Sequence, residues 1–83
     1  MVVRLRIISA MRQIVEEWQV KLPPLHDDLS VYKIGFDSLA FAALVARLDE
    51  DLGVDPFTAS GAAFPLTFGD FVQAYEQAYE NVR

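Results

Sequence analysis

The sequence predicts an all-α fold, a small four-helix bundle with three main helices, one short third helix and a long first loop. Two observations favour this class. Apolar residues recur at spacings of three and four in three separate segments, and no segment alternates apolar and polar residues as a half-buried strand does. The chain has 83 residues, 53% of them hydrophobic, which suffices for one small core. We therefore expect residues 1–83 to form a single domain.

The first helix is predicted over residues 3 to 19. Polar residues such as Arg12 and Glu16 fall opposite the apolar ones, a pattern typical of an amphipathic helix. The apolar positions are Ile7, Ile8, Met11, Ile14, Val15 and Trp18. Pro23 and Pro24 cannot continue the helix, because proline has no N–H and biases the preceding residue toward extended backbone.

A long loop is predicted from Lys21 to Asp37. Connections in helical bundles commonly have only about 2 to 8 residues. This loop carries many large apolar side chains, namely Leu25, Leu29, Val31, Tyr32, Ile34 and Phe36. We expect these side chains to pack onto the bundle, so that the end of the loop is held in a fixed place.

The second helix is predicted over residues 38 to 52. Either Asp37 or Ser38 can cap its start, since both side chains accept hydrogen bonds from free N–H groups, and Gly53 suits the left-handed residue that ends a helix. The stripe predicted to face the core is Phe41, Leu44, Val45, Leu48 and Leu52. The residues that this orientation turns outward are Ala40, Ala43, Ala46 and Arg47.

The segment between Gly53 and Thr67 contains two prolines and a glycine, so only a short turn of helix fits, around residues 58 to 63. The last helix is predicted over residues 67 to 81. Thr67 followed by Asp70 resembles a capping box at its start. Its apolar stripe consists of Phe68, Phe71, Val72, Tyr75, Tyr79 and Val82.

Composition argues against several classes of function. Twelve acidic and seven basic residues give a net charge of -5, which opposes binding to nucleic acid or anionic lipid. The absence of cysteine excludes disulfides, thiolate metal sites and a cysteine nucleophile. The longest apolar run, Leu39 to Ala46, is far shorter than the roughly 20 residues of a membrane span, and Arg12 interrupts any signal-peptide core. We expect a cytoplasmic protein with no membrane or nucleic-acid partner.

Candidate catalytic residues are few. His26, the only histidine, lies in the long loop beside Asp27 and Asp28, and a Ser-His-Asp arrangement with Ser38 can be drawn. A bundle of this size offers little room for the cleft and the oxyanion donors that such catalysis needs, so no catalytic residue is predicted. The two acidic clusters, Asp27-Asp28 and Asp49-Glu50-Asp51, lack the alternating ligand spacing of a calcium loop, so no metal site is predicted.

Ser38 draws attention for a different reason. At the start of a helix its hydroxyl lies beside free backbone N–H groups and the positive end of the helix dipole, where a phosphate is stabilised. Asp37 is a weak base, and no other group is evidently placed to activate the hydroxyl. The base for any reaction at Ser38 is therefore expected to come from another protein.

The residues around Ser38 resemble the attachment signature of acyl and peptidyl carrier proteins, which is a glycine, a variable residue and then Asp-Ser-Leu. The matching residues are Gly35, Phe36, Asp37, Ser38 and Leu39. Further similar segments are Asp28-Leu29 before the motif, Leu44 to Leu48 in the second helix, Gly53-Val54-Asp55 at its end and the closing helix from Thr67. The resemblance thus covers nearly the whole chain.

The resemblance implies that Ser38 bears a 4'-phosphopantetheine arm, donated from coenzyme A by a phosphopantetheinyl transferase that uses magnesium. Asp37 would cap the helix and help the transferase recognise the site, Leu39 would contact the transferase and partner enzymes, and Gly35 would complete the cofactor site. The thiol of the arm would carry a thioester, loaded by an acyl or aminoacyl ligase and passed to downstream acyl-transfer enzymes. We expect a free-standing, monomeric, non-catalytic carrier.

The chain departs from the carriers of fatty acid synthesis on its second helix. Those carriers look strongly acidic on the outward side, where this sequence is predicted to place Ala40, Ala43 and Ala46. The difference favours a peptidyl-type carrier with an aminoacyl cargo. We predict that these alanines and Arg47 form the partner face. The alternative function is a small helical protein-interaction module without a covalent arm.

Overall fold

Three α-helices are present in the computed structural model, which describes residues 2–57 and 64–81. They are α1 (Val2–Trp18), α2 (Ser38–Leu52) and α3 (Phe68–Asn81). Because the described residues contain no strand, the predicted all-α class is confirmed. The short helix predicted at residues 58 to 63 lies outside the described residues. No described helix has the length and apolar character needed to cross a membrane.

The hydrophobic core lies where α1 packs against α2 and α3, with the long loop covering one side. The buried side chains of α1 follow the predicted spacing of three and four: Val3, Ile7, Ala10, Met11 and Ile14. Trp18, which the apolar spacing placed on the same side of the helix, is 37% exposed. Trp18 is the last residue of α1, one turn beyond its last buried residue, Ile14. The chain turns away at the next residue, Gln19, where φ is 54°.

The orientation of α2 differs from the prediction. Its buried line consists of Ala40, Leu44, Leu48 and Leu52. The predicted outward orientation of Ala40 is therefore wrong, and Ala43 is half-buried against the core rather than exposed. The physical reason is that residues 39–46 are all apolar, so their periodicity does not define one buried side. Phe41 and Val45, predicted to belong to the core-facing stripe, are only half-buried.

The long loop packs onto the helices as predicted, because Val31, Ile34 and Phe36 are all buried and Leu29 is half-buried. Tyr32 is the exception. Its side chain is 83% exposed, so the prediction that it packs inward is wrong. The cause is a short 3-10 turn over Val31–Lys33. In this geometry residues three apart point the same way, so Val31 and Ile34 face inward while Tyr32 faces outward.

The long loop also satisfies the first backbone groups of α3. The N–H of Phe68 donates to the Leu29 carbonyl at 2.8 Å, and the N–H of Gly69 donates to the Asp27 carbonyl at 2.9 Å. Free N–H groups at a helix start are costly when they lack acceptors. The loop therefore stabilises α3, and α3 in turn fixes the position of the loop.

Thr67 caps α3 from within its own segment. Its Oγ1 accepts a hydrogen bond from the N–H of Asp70 at 3.1 Å, so the predicted role of Thr67 at this helix start is confirmed. Gly69 is needed for the approach of the loop. A Cβ at this position would lie 2.9 Å from the Cβ and 3.0 Å from the carbonyl oxygen of Asp27, closer than ordinary contact allows.

Ion pairs connect α1 to the rest of the described chain. The pairs are Arg4 with Asp27, Arg6 with Asp51, and Arg47 with Glu17. Asp27 and Asp51, one from each acidic cluster, form exposed ion pairs in this way. Both partners of every pair are substantially exposed to solvent, so each pair contributes little to stability.

Candidate functional site at the start of α2

The hydroxyl of Ser38 is exposed at the first residue of α2. Asp37 is the N-cap, and its Oδ1 accepts a hydrogen bond from the N–H of Ala40 at 2.8 Å. This observation decides between the two predicted caps in favour of Asp37. Since the cap is a different side chain, the Ser38 hydroxyl is not required for it, and it makes no hydrogen bond with any described residue.

The N–H groups of Ser38 and Leu39 have no acceptor among the described residues. Both point along the axis from the start of α2, where the helix dipole is positive. The first turn of α2 contains no acidic residue, and the Asp37 carboxylate is directed to the N–H of Ala40. This end of α2 therefore offers two hydrogen-bond donors and a favourable potential to an anionic group on Ser38.

Gly35 gives the loop the backbone shape that leads into α2. Its φ is +94°, a conformation that other residues rarely adopt, and a Cβ there would lie 3.4 Å from the carbonyl oxygen of Lys21. The glycine predicted as part of the site is thus required for a conformational reason. It lets Phe36 turn back into the core while Ser38 stays in solvent.

An open cavity of about 850 Å³ lies beside Ser38. We call it the groove, and its lining includes Tyr32, Phe36, Ser38, Phe41, Ala42, Ala46, Phe57 and Phe64. The aromatic rings that line the groove contact one another. The centroids are 5.5 Å apart for Phe36 and Phe41, and 5.4 Å apart for Phe41 and Phe64. The groove offers a mainly apolar surface next to an exposed hydroxyl, with Asp49 and Asp55 also in its lining.

Tyr75 packs against the aromatic residues that line the groove, and the centroid of its ring lies 5.6 Å from that of Phe57. The residue is fully buried, and its hydroxyl has no hydrogen-bond partner among the described residues. Burial raises the pKa of the Tyr75 hydroxyl far above its usual value of 10, and the charges of Asp55 and Asp49 act in the same direction. Tyr75 is therefore neutral throughout the physiological range.

The predicted partner face divides into two groups. Leu39, 66% exposed, follows Ser38 on the surface, and the exposed Ala46 lies two turns further along α2 in the lining of the groove. Ala40 cannot contact a partner, because it is only 2% exposed, and Ala43 is half-buried. The guanidinium of Arg47 is engaged by Glu17, so it is directed to α1 rather than to a partner.

The ion pair between Arg47 and Glu17 changes the pKa of the glutamate carboxyl. The hydrogen bond from Arg47 lowers the pKa of the Glu17 carboxyl below its ordinary value, and the positive charge of Arg47 adds to this effect. Arg47 also donates to the Gln13 side chain at 3.3 Å. These contacts give Arg47 a role between α1 and α2 that periodicity alone did not reveal.

His26 is exposed in the long loop. In the part of the chain that the structure describes, no hydrogen bond joins its imidazole to Ser38 or to an aspartate. A Ser-His-Asp arrangement is therefore not formed, and nothing described near Ser38 is positioned to remove the proton of its hydroxyl.

Comparison with protein families gives a match over more than half of the chain. A family model described as "Phosphopantetheine attachment site" matches residues 9–59. The chain belongs to this family. The resemblance to carrier proteins is thus confirmed, and the chain is a carrier that bears covalently attached 4'-phosphopantetheine. Neither the curated proteins nor the solved structures include a significant match.

Carrier domains of this phosphopantetheine attachment family are typically non-catalytic. They interact with a phosphopantetheinyl transferase and with acyl-transfer enzymes. The residues at the start of α2 fit the group: the Ser38 hydroxyl is exposed, two N–H groups are free to receive a phosphate, and the adjoining groove can accommodate apolar atoms.

Four groove residues that adjoin the site were not predicted to belong to it: Tyr32, Ala42, Phe57 and Phe64. The sequence signal was weak for the three aromatic residues, because an aromatic residue in a loop is equally compatible with burial in the core. Only the folded structure places all four in the lining of the groove that Ser38 also lines.

Proposed function

We propose that this carrier is phosphopantetheinylated on Ser38 and shuttles an acyl or aminoacyl group as a thioester between partner enzymes. The observation that carries the proposal is the exposed hydroxyl of Ser38 at the start of α2, within the range that matches the family. Ser30 is a poorer candidate in that range, since its Oγ already accepts a hydrogen bond from the N–H of Tyr32 at 3.2 Å. Ser9 lies within α1, far from any helix start.

The residues of this chain position the hydroxyl and leave the chemistry to a transferase. Asp37 fixes the first turn of α2 through its bond to the N–H of Ala40. In the transfer, the Ser38 oxygen loses its proton to a base of the transferase and forms the new O–P bond. The nucleotide part of coenzyme A leaves with the electrons of the broken P–O bond. When bound, the group supplies a flexible arm whose terminal thiol forms thioesters.

The surroundings of Ser38 support an acyl or aminoacyl cargo with an apolar side. Phe36, Phe41 and Phe57 present rings to the groove, and burying such surface against a cargo would be favourable. The exposed part of α2 nearest to Ser38 carries Leu39 and Ala42 rather than acidic residues. This supports service to a peptidyl-type system, loaded by an acyl or aminoacyl ligase, over a standard fatty acid synthase.

The proposal is tested by incubation with coenzyme A, magnesium and a broad-specificity phosphopantetheinyl transferase, followed by intact mass measurement. The parent and Ser30→Ala should each gain the mass of one arm, and Ser38→Ala should gain none. Circular dichroism checks that both variants stay folded, which is expected because Asp37 and not Ser38 caps α2. An unmodified parent would favour a protein-interaction module without an arm, and modification of Ser38→Ala would refute the assigned serine.

A further inference from the structure

The charged side chains that line the groove are all acidic. Among the described residues they are Asp37, Asp49 and Asp55, and no arginine, lysine or histidine is part of the lining. The ion pairs that connect α1 to the rest of the described chain lie elsewhere, since none of their members lines the groove. The groove therefore combines an apolar surface with negative charge.

The groove follows one side of α2 from its first residue to its last turn. Ser38, Ala42, Val45 and Asp49 all line it and recur at spacings of three and four, so they lie along the same side of the helix. Asp49 comes about three helical turns after Ser38, which is roughly 16 Å at a rise of 1.5 Å per residue. The groove thus has a hydroxyl at one end, a carboxylate toward the other and apolar side chains between them.

Asp55 lies near the same end of the groove as Asp49. It follows the Gly53 C-cap of α2 by two residues, and its Oδ1 accepts a hydrogen bond from the N–H of Phe57 at 3.1 Å. Burial raises the pKa of the Tyr75 hydroxyl, and the charges of Asp55 and Asp49 add to this effect, so both carboxylates lie close enough to act on one group. We call Asp49 and Asp55 the acidic end of the groove.

An ammonium group attached to an apolar side chain matches both properties of the groove. The carboxylates of the acidic end attract the positive charge, and this attraction is stronger in a partly enclosed groove than in bulk water. The face of an aromatic ring such as that of Phe57 attracts a cation as well. A neutral acyl chain gains only the apolar contact, and a cargo with its own carboxylate is repelled.

We propose that the groove selects an α-aminoacyl cargo with an apolar side chain, whose ammonium group lies at the acidic end and whose side chain packs on the aromatic rings. The inference rests on the proposed function, because the cargo is attached through Ser38, which lines the same groove. The carboxylate of Asp37 has a different role, since it is directed to the N–H of Ala40. The cargo class is thereby narrowed from acyl or aminoacyl to aminoacyl.

The test compares two cargoes of equal shape on the intact protein. A broad-specificity phosphopantetheinyl transferase loads them from coenzyme A derivatives in which an amide replaces the thioester, so that the cargo does not hydrolyse. One cargo is phenylalanyl, and the other is α-methyl-β-phenylpropanoyl, in which a methyl group replaces the ammonium. The isotope-labelled amine of the phenylalanyl cargo is titrated by NMR, with the free derivative as reference. On the protein, the amine should hold its proton about tenfold more tightly.

Asp49→Asn should remove most of this tenfold gain, and Asp49→Asn combined with Asp55→Asn should remove all of it. Asparagine keeps the shape of the side chain and removes its charge. Glu50→Gln is the matched control, because Glu50 is exposed on α2 next to Asp49 but does not line the groove. It changes the net charge by the same amount and should keep the gain.

Thermal unfolding gives a second readout. The phenylalanyl form should have a higher Tm than the form with the methyl isostere, because only the first contacts the acidic end. An amine that binds its proton no more tightly than in the free derivative would overturn the inference. Equal losses in Asp49→Asn and Glu50→Gln, or equal Tm values for the two loaded forms, would also overturn it. A parent that accepts no arm would instead refute the proposed function, and the inference with it.

Discussion

Two physical arguments predict opposite effects on stability when Gly69, near the start of α3, is replaced by alanine. Helix propensity alone predicts that Gly69→Ala stabilises the protein by up to about 1 kcal/mol, since glycine is a poor helix former. The structure predicts the reverse. A Cβ on residue 69 would lie 2.9 Å from the Asp27 Cβ and 3.2 Å from the Asp27 Cα, so the loop must move away from α3.

The size of the destabilisation follows from the free energy needed to move the loop away from α3. Overpacking of this kind typically costs about 1 to 3 kcal/mol. The hydrogen bond from the Gly69 N–H to the Asp27 carbonyl, 2.9 Å long, would be weakened, with a further loss of roughly 0.5 to 1.5 kcal/mol. After subtraction of a gain in propensity of about 1 kcal/mol, the net destabilisation is about 0.5 to 3.5 kcal/mol. In a domain of this size each kcal/mol lowers Tm by about 4 to 8 °C.

The assay is urea and thermal unfolding of Gly69→Ala, with Gly53→Ala as the control. Gly53 has a φ of +75° but no atom within 4 Å of a Cβ, so its variant reports backbone strain without a clash. Amide hydrogen exchange separates the two variants further, since only Gly69→Ala should reduce protection at Phe68 and Val31. A rise in the Tm of Gly69→Ala would refute the close packing of the long loop on α3.

Three further predictions concern residues around the core and the α1–α2 contact. Tyr75→Phe should be neutral or stabilising by up to about 3 kcal/mol in urea unfolding, because it removes a buried hydroxyl without a described partner and keeps the ring; a clear loss of stability would show that the hydroxyl is satisfied. Ile34→Ala should cost about 2 to 5 kcal/mol and Ile34→Val only about 0.5 to 1.5, since Ile34 is 1% exposed; equal, small effects would mean that the loop is not packed. Because Arg47 lowers the pKa of Glu17, the stability from this pair is fully present above the ordinary value of 4.5 and is lost as pH falls through the lower folded value. The Tm difference between the parent and Arg47→Gln should therefore shrink between pH 5 and pH 3, and a constant difference would contradict the pairing.

The sequence predicts the end of a helix well where a capping residue acts on backbone groups only a few residues away. The capped start of α2 and its end at Gly53 agree with the predicted bounds, because Asp37 and a left-handed glycine have local effects. Thr67 at the start of α3 is a similar case. The attachment motif from Gly35 to Leu39 also depends on neighbouring residues alone.

The rotation of α2 could not be derived from the sequence. Residues 39–46 are all apolar, and the choice between Ala40 and Phe41 as the more buried residue depends on the shapes of α1 and the loop. The exposure of Tyr32 depends similarly on a 3-10 turn that only tertiary contacts select. The contact of Gly69 with Asp27 joins residues far apart in sequence, for which no periodicity gives a signal.

The central claim, that Ser38 is the attachment point of the arm, is tested most directly by locating the added mass. The modified protein is digested, and the peptides are fragmented by mass spectrometry. We predict that the whole mass of the arm lies on Ser38 and that peptides containing Ser9, Ser30 or Ser60 are unmodified. Added mass on any of those three serines, with Ser38 unmodified, would contradict the account.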